Sequence, residues 1–276
     1  MVLRRQRVLL HLIKSLEGKR VSKTFLDKLL FVLRKETQVG DWVRFYHFFP
    51  YNFGPFSNNF YYDLNDLHNR GLLHEFELSP EALQLANCLT QKEKQAAEET
   101  TARFENETQA VDYVYANYPA YTVKSRLKPE PSKAANETGF ATIGYEGHDI
   151  DSFLDVLIQN KVQTVADVRA NPFSMNLAFT KTRLSSHLRK VGIEYIHFPE
   201  LGIPSDLRKK LDLNKCFETY ELQLLPQHPN EFQALAELGN YKKTALMCFE
   251  HDENKCHRNI LARQLHANTG QRPQAL

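Results

Sequence analysis

One stretch limits the folds open to this chain more than any other: Thr244 to Leu265, TALMCFEHDENKCHRNILARQL. It begins apolar and strand-like, Thr244 to Phe249. A polar turn follows, Glu250 to Lys255, and then a helical pattern with Ile260, Leu261 and Leu265 on one stripe. Strand, short loop and helix make half of a βαβ unit. In such units the loop lies at the carboxyl edge of the sheet, where open α/β folds bind ligands. Cys248, Glu250, His251, Asp252, Cys256, His257 and Arg258 all fall in this segment. No other segment gathers as many reactive groups.

The preceding sequence extends the same pattern. Strands are expected at Phe140 to Tyr145, Thr164 to Val168 and Glu194 to Phe198, with helices over Asp151 to Lys161 and Thr180 to Val191. Alternating strands and helices predict a Rossmann-like, mostly parallel three-layer α/β domain over 139–276. The first third differs. Val8, Leu9, Leu12, Ile13 and Leu16 form one helical stripe, and Ser22 opens a second helix carrying Phe25, Leu29, Val32 and Leu33. Val43 to Phe49 is aromatic enough to read as strand. Ser57 begins a third helix, ending at Gly71, and Leu72 to Phe76 reads as a short strand beside it. This predicts a helical, winged-helix-like domain over 1–126. Residues 91–108 read as an exposed helix or helical connector, and Ala110 to Tyr121 as a further helix. Leu127 to Thr138, LKPEPSKAANET, has two prolines and almost no bulky apolar residue, so 127–138 is the expected linker.

Composition excludes some classes. Lys plus Arg total 35 against 33 for Asp plus Glu, so any case for nucleic acid has to be local. No apolar run is long enough for a membrane span. The opening MVLRRQRVLLHLIK is interrupted by His11 and Lys14, which suits an amphipathic helix better than a signal peptide. Four cysteines at irregular spacing suggest reduced thiols and a cytoplasmic protein. The candidate basic patch of the first domain is Arg4, Arg5, Arg7, Lys19, Arg20 and Lys23. Its third helix offers Asn58, Asn59, Asn65, Asn69 and Arg70 to DNA, but Asp63 and Asp66 oppose phosphate, so a protein-contact role is an equal reading.

Two resemblances add to this. LDKLLFVLRKE, FFPYNFGPFSNNFYYDLNDLHNRGLL and DYVYANYP resemble the Panacea-type domain of SocA-like antitoxins, over roughly 5 to 125. That resemblance implies a winged-helix-related module for protein or nucleic-acid contact, without catalytic residues, and a phage-defence or toxin-like setting. ATIGYEGHDIDSFLDVL, ADVRANPFS, FTKTRLSSHLRKVGIEYIHFPELGIP and ALMCFEHDENKCHRNILARQL, over 140 to 265, resemble the domain-of-unknown-function family 488. The family supplies a fold expectation and a residue set rather than a reaction. The chain departs from it at Tyr145 to His148 and at Ile203.

If the strands are parallel, four loop sets meet at one edge: Tyr145, Glu146 and His148; Asp167, Arg169 and Asn171; Glu200 and Gly202; and Glu250, Cys256, His257 and Arg258. Arg169 and Arg258 are the expected phosphate holders, with Tyr145 and His148 beside them, and the CHRN run at a helix start adds free N–H groups. The competing reading is that Arg169 and Arg258 pair with Asp167 and Glu250 and merely tie loops together. Asp167 and Glu250 are the expected acid/base groups, and a shared Mg²⁺ between them is geometrically open. Cys256 at a helix start is a candidate nucleophile, with His257 as an assisting catalytic group; as helical neighbours the two would point different ways, so a base would have to come from another loop, such as His148. A small cysteine packing the turn is the blander alternative. Zinc on C-x7-C-H with His251 lacks a recognised ligand spacing. Lys181, Arg183, Arg189 and Lys190, then Arg208, Lys209 and Lys210, are a basic run able to track DNA or RNA. The expected function is therefore nucleic-acid or nucleotide processing, recruited to a target or protein partner by the first domain. The alternative is a non-enzymatic DNA-binding or antitoxin-like regulator whose α/β domain senses a small anion.

Overall fold

The structure, a computed structural model, describes residues 1–127 and 137–276. The chain divides into two compact units, Met1–Ser132 and Lys133–Leu276. Most of the stretch expected as linker lies outside the described residues.

The first unit is helical, with α1 (Arg4–Lys14), α2 (Lys23–Glu36), α3 (Val39–Trp42), α4 (Asn58–Asn69), α5 (Pro80–Asn87), α6 (Gln91–Ala102) and α7 (Glu107–Asn117). Two small antiparallel hairpins, β1 (Phe49–Tyr51) with β2 (Gly54–Phe56) and β3 (Leu73–His74) with β4 (Glu77–Leu78), interrupt them. Helix starts follow the side-chain caps: Ser22, Ser57 and Ser79 accept from Phe25, Phe60 and Ala82 N–H groups. Thr90 and Glu93 form a capping box on α6. The core is built on α1 and α2, from Val8, Leu9, Leu12, Phe25, Leu29 and Leu33, with Phe60 and Leu64 of α4.

Three expectations change here. Val43 to Phe49 is not a strand; only Phe49–Tyr51 is. The aromatic side chains are buried from an irregular path, and Tyr46 turns its hydroxyl to Asp63 at 3.0 Å. Burial, not ladder pairing, is what those residues supply. The segment expected as an exposed helix or helical connector does form a helix, α6, but its Ala96 and Ala97 sit in the core, where small side chains let it pack closely. Half of the basic patch is engaged within the unit. Arg4 pairs with Glu93 at 2.7 Å, Arg5 forks onto Asp63 at 2.6 and 3.2 Å, and Lys19 donates to the Thr101 and Phe104 carbonyls. Asp63 therefore faces inward, and Asp66 holds Arg70 at 3.3 Å.

The second unit is an α/β domain. Its strands are β5 (Gly139–Gly144), β6 (Thr164–Asp167), β7 (Glu194–His197), β8 (Lys243–Cys248) and β9 (Gln274–Ala275). Its helices are α8 (Ile150–Gln159), α9 (Lys181–Lys190), α10 (Ser205–Lys210), α11 (Leu213–Thr219), α12 (Pro229–Tyr241) and α13 (His257–Thr269). The sheet runs β7-β6-β8-β5-β9, with every pair parallel. All of β6 and all but the first residue of β8 are buried, as in a sheet covered on both faces. Phe140, Ala166 and Leu246 pack with Leu235 of α12 and with Leu261 and Leu265 of α13.

Register decides which loops meet. Gly144 pairs with Cys248, and Asp167 with both Met247 and His197. The late strand β8 lies between β5 and β6, so its loop is flanked by the loops of both. Two glycines let these loops touch. A Cβ on Gly144 would lie 1.9 Å from the Glu250 carbonyl oxygen, and one on Gly202 would lie 2.1 Å from the Ala170 nitrogen. Neither position tolerates a side chain without backbone movement.

Candidate functional site

At the end of β6, Asp167 and Arg169 form a closed unit. The Arg169 guanidinium forks onto Asp167 through Nε at 2.8 Å and Nη2 at 2.6 Å, and its backbone N–H donates to the same carboxylate at 3.1 Å. Tyr195 adds its hydroxyl at 2.6 Å. A carboxylate offers about four lone-pair sites, and these donors fill them. Asp167 is fully buried, so it has no free face for a metal or a substrate proton. The Mg²⁺ left open between Asp167 and Glu250 does not fit this carboxylate, which positions Arg169 instead. Burial works against the Arg169 charge, but the Asp167 hydrogen bonds outweigh it and hold the group above its ordinary range. Burial, then the Asp167 charge, pushes the Tyr195 phenol up.

Arg169 keeps one edge for other partners. Nη1 donates to the Tyr145 hydroxyl at 3.1 Å, and Nη2 also reaches the Phe179 carbonyl at 3.0 Å. The Tyr145 ring lies under the guanidinium and stacks on Phe179 with centroids 4.4 Å apart. His197 donates from Nε2 to the Arg169 carbonyl at 2.8 Å, and Lys181 approaches its Nδ1 at 3.1 Å.

The second cluster joins the end of β8 to the start of α13. His257 Nε2 lies 2.9 Å from the Val168 carbonyl. A carbonyl only accepts, so Nε2 donates this bond, and Nδ1 is the ring nitrogen turned to the cluster. Around Nδ1 lie Arg208 Nη2 at 3.1 Å, Cys248 Sγ at 3.8 Å and Cys256 Sγ at 4.0 Å. Arg208 also holds Glu250 at 3.0 Å, and Glu250 lies 3.4 Å from Cys248 Sγ. The sulfur pair shares its protons unequally. The Cys256 S–H donates to Cys248 and, against burial, draws the Cys248 thiol well below its ordinary value, helped by His257 and Arg208. Burial, then the neighbouring Cys248, pushes Cys256 up.

This corrects two expectations. Cys256 and His257 converge because Cys256 is the N-cap of α13, with extended dihedrals (φ −130°, ψ 135°), and not a residue inside the helix. Cys256 is buried and its thiol is pushed up, while the thiol drawn below its ordinary value is that of Cys248. His148, considered as a base for Cys256, instead hydrogen-bonds Ser152 at 3.1 Å on α8 and packs edge-on against Phe153. Arg258 is also placed differently. It is buried and clamps the carbonyls of its own loop, those of Glu250 and, at 2.9 Å, His251. It shapes the loop instead of facing Arg169. His251 is exposed, and its N–H donates to Glu146 at 2.9 Å.

A cavity of about 240 Å³ opens between these clusters. Arg169 and Arg208 line it, with Tyr145, Asn171, Ser205 and Cys248. Phe173 (65% exposed) and Phe249 (45% exposed) stand in its wall. Residues 149–265 match the family described as Domain of unknown function DUF488. No curated protein and no solved structure matches the chain. The DUF488 span runs from the N-cap of α8 into α13. It contains Asp167, Arg169, Arg208, Cys248, Cys256 and His257, but not β5, Tyr145 or His148.

The parts that Arg208, Cys248 and Tyr195 play at this edge were not assigned from sequence. Arg208 read as one of three consecutive basic residues, with nothing to single it out. Cys248 closes a strand buried on both faces, where alternation is lost and no direction can be inferred. The pairing of Tyr195 with Asp167 depends on the register of β7 against β6, which sequence does not give.

Proposed function

We propose that the α/β domain takes a phosphate-bearing group of a nucleotide or nucleic acid into the carboxyl-edge cavity. The observation that carries this reading is that Arg169 and Arg208 front one cavity whose wall also bears exposed aromatic rings. Two guanidinium groups recognise phosphate, and Phe173 and Phe249 are sequence-tolerant stacking surfaces for bases. The volume is below the roughly 300–1,000 Å³ of drug-sized sites, which suits a phosphate or one ring, with the rest of the ligand outside. Exposed Lys181, Arg183, Arg189, Lys190, Lys209 and Lys210 are available to a backbone extending from it. The amino-terminal unit, by its likeness to Panacea-type domains, serves in this reading to recruit a target or protein partner, with phage defence as the setting.

A second reading, a regulator that senses a small anion without turning it over, is favoured by one observation: every lone pair of Asp167 is already engaged. Calorimetric titration of the full chain with inorganic phosphate, nucleotides and short single-stranded DNA and RNA tests the shared core. Arg208→Ala is expected to weaken binding at least tenfold, and affinity for strands is expected to fall steeply with salt. Absence of binding at low salt, or an unaffected Arg208→Ala, overturns the reading. Turnover in the same samples separates processing from sensing.

A further inference from the structure

We propose that Cys248, Cys256 and His257 form a binding site for a thiophilic divalent metal, zinc by its donor set. The three donor atoms, two Sγ and Nδ1, lie within 4.8 Å of one another, and all three residues are buried. Tetrahedral zinc, with Zn–S near 2.3 Å and Zn–N near 2.1 Å, sets its donors about 3.6–3.8 Å apart. The observed Sγ–Nδ1 separations of 3.8 and 4.0 Å need only small adjustments.

Three further features point the same way. The second ring nitrogen of His257 donates to the Val168 carbonyl, the arrangement that orients a metal-binding imidazole and fixes its tautomer. The donors come from the end of β8 and the first residues of α13, two rigid elements joined by one loop. That loop is held shut by Arg258 on its own carbonyls, so the ligands are fixed in place before any ion arrives. Two thiolates would balance the charge of the ion, which removes the cost of burying either alone.

Arg208, which now approaches Nδ1, already has Glu250 as a second partner and moves onto it when the ion enters. His251 takes no part, since its side chain is exposed. Among the described residues three His or Cys donors converge, and the fourth position falls to solvent or to Glu250, which lies 3.4 Å from Cys248 Sγ. Cys248 lines the cavity, which places the metal site at its edge. The metal site itself does not depend on the phosphate reading.

The test uses the full chain, purified under reducing conditions without a metal column, and measures metal by mass spectrometry after desalting. About one zinc per chain is expected. After chelation, Co²⁺ is expected to give a thiolate-to-metal charge-transfer band. Cys248→Ser, Cys256→Ser and His257→Ala should each lower zinc retention at least tenfold, while Cys216→Ser, a buried cysteine outside the cluster, should keep it. If the ligand variants fold poorly, cobalt titration of the chelated wild type carries the test alone. A wild type that takes up less than a tenth of an equivalent of either ion with its thiols reduced overturns the proposal. So does metal retained in full by folded Cys248→Ser and Cys256→Ser.

Discussion

Replacing Asp167 by alanine removes the acceptor for three Arg169 contacts and for the Tyr195 hydroxyl. Arg169, 6% exposed, would keep only the Tyr145 hydroxyl and the Phe179 carbonyl as hydrogen-bond partners for its side chain. Breaking one side of a buried ion pair costs about 3–5 kcal/mol, because the surviving charge loses its partner without regaining water. For a domain of this size each kcal/mol is worth roughly 3–4 °C, so the transition is expected to fall by about 10–20 °C. Removing both charges costs less than removing one. Asp167→Ala with Arg169→Met is therefore expected to recover part of that loss, giving a coupling of about 1–3 kcal/mol in a double-mutant cycle. Differential scanning calorimetry of the full chain reads both values. A fall of under 3 °C for Asp167→Ala, or strict additivity in the cycle, would refute the argument that this carboxylate exists to hold Arg169.

Other expectations follow from the same geometry. Gly202→Ala drives a methyl into the Ala170 backbone, so stability should fall by about 1–3 kcal/mol in urea unfolding, with weaker phosphate binding as the Arg169 loop shifts. His11 and His187 are held below the ordinary imidazole value of 6.5, chiefly by burial, with nearby Glu98 opposing at His11 and Lys190 and Arg183 reinforcing at His187. The unfolded chain then binds more protons than the folded one just below pH 6.5, so stability should drop as pH falls through that value. Thermal midpoints measured across that range check it, and His187→Leu should flatten the response of the α/β domain.

The sequence was most informative where local chemistry decides. Ser22 and Ser57 mark helix starts through their own side-chain oxygens, and both helices begin there. The strand–helix alternation from Phe140 onward became the parallel sheet, because buried apolar runs between polar loops have few other solutions. Tyr46 shows the limit: an aromatic residue in an apparent strand is equally served by any path that buries it. The site was legible as a set of loops, not as a set of contacts. Arg169 and Arg258 looked alike in sequence, yet one lines the cavity and the other ties down its own loop. Which carbonyl or carboxylate each guanidinium finds depends on strand order and on glycines that let backbones touch.

The placement of β8 bears on how the molecule is made. During synthesis β5, β6 and β7 emerge long before the strand that must slot between the first two. Until then two apolar ribbons have bare hydrogen-bonding margins, an invitation to wrong partners. A nascent chain that stalls before Lys243 is thus the species most exposed to clumping, at a stage when the hollow at the sheet's edge has yet to exist.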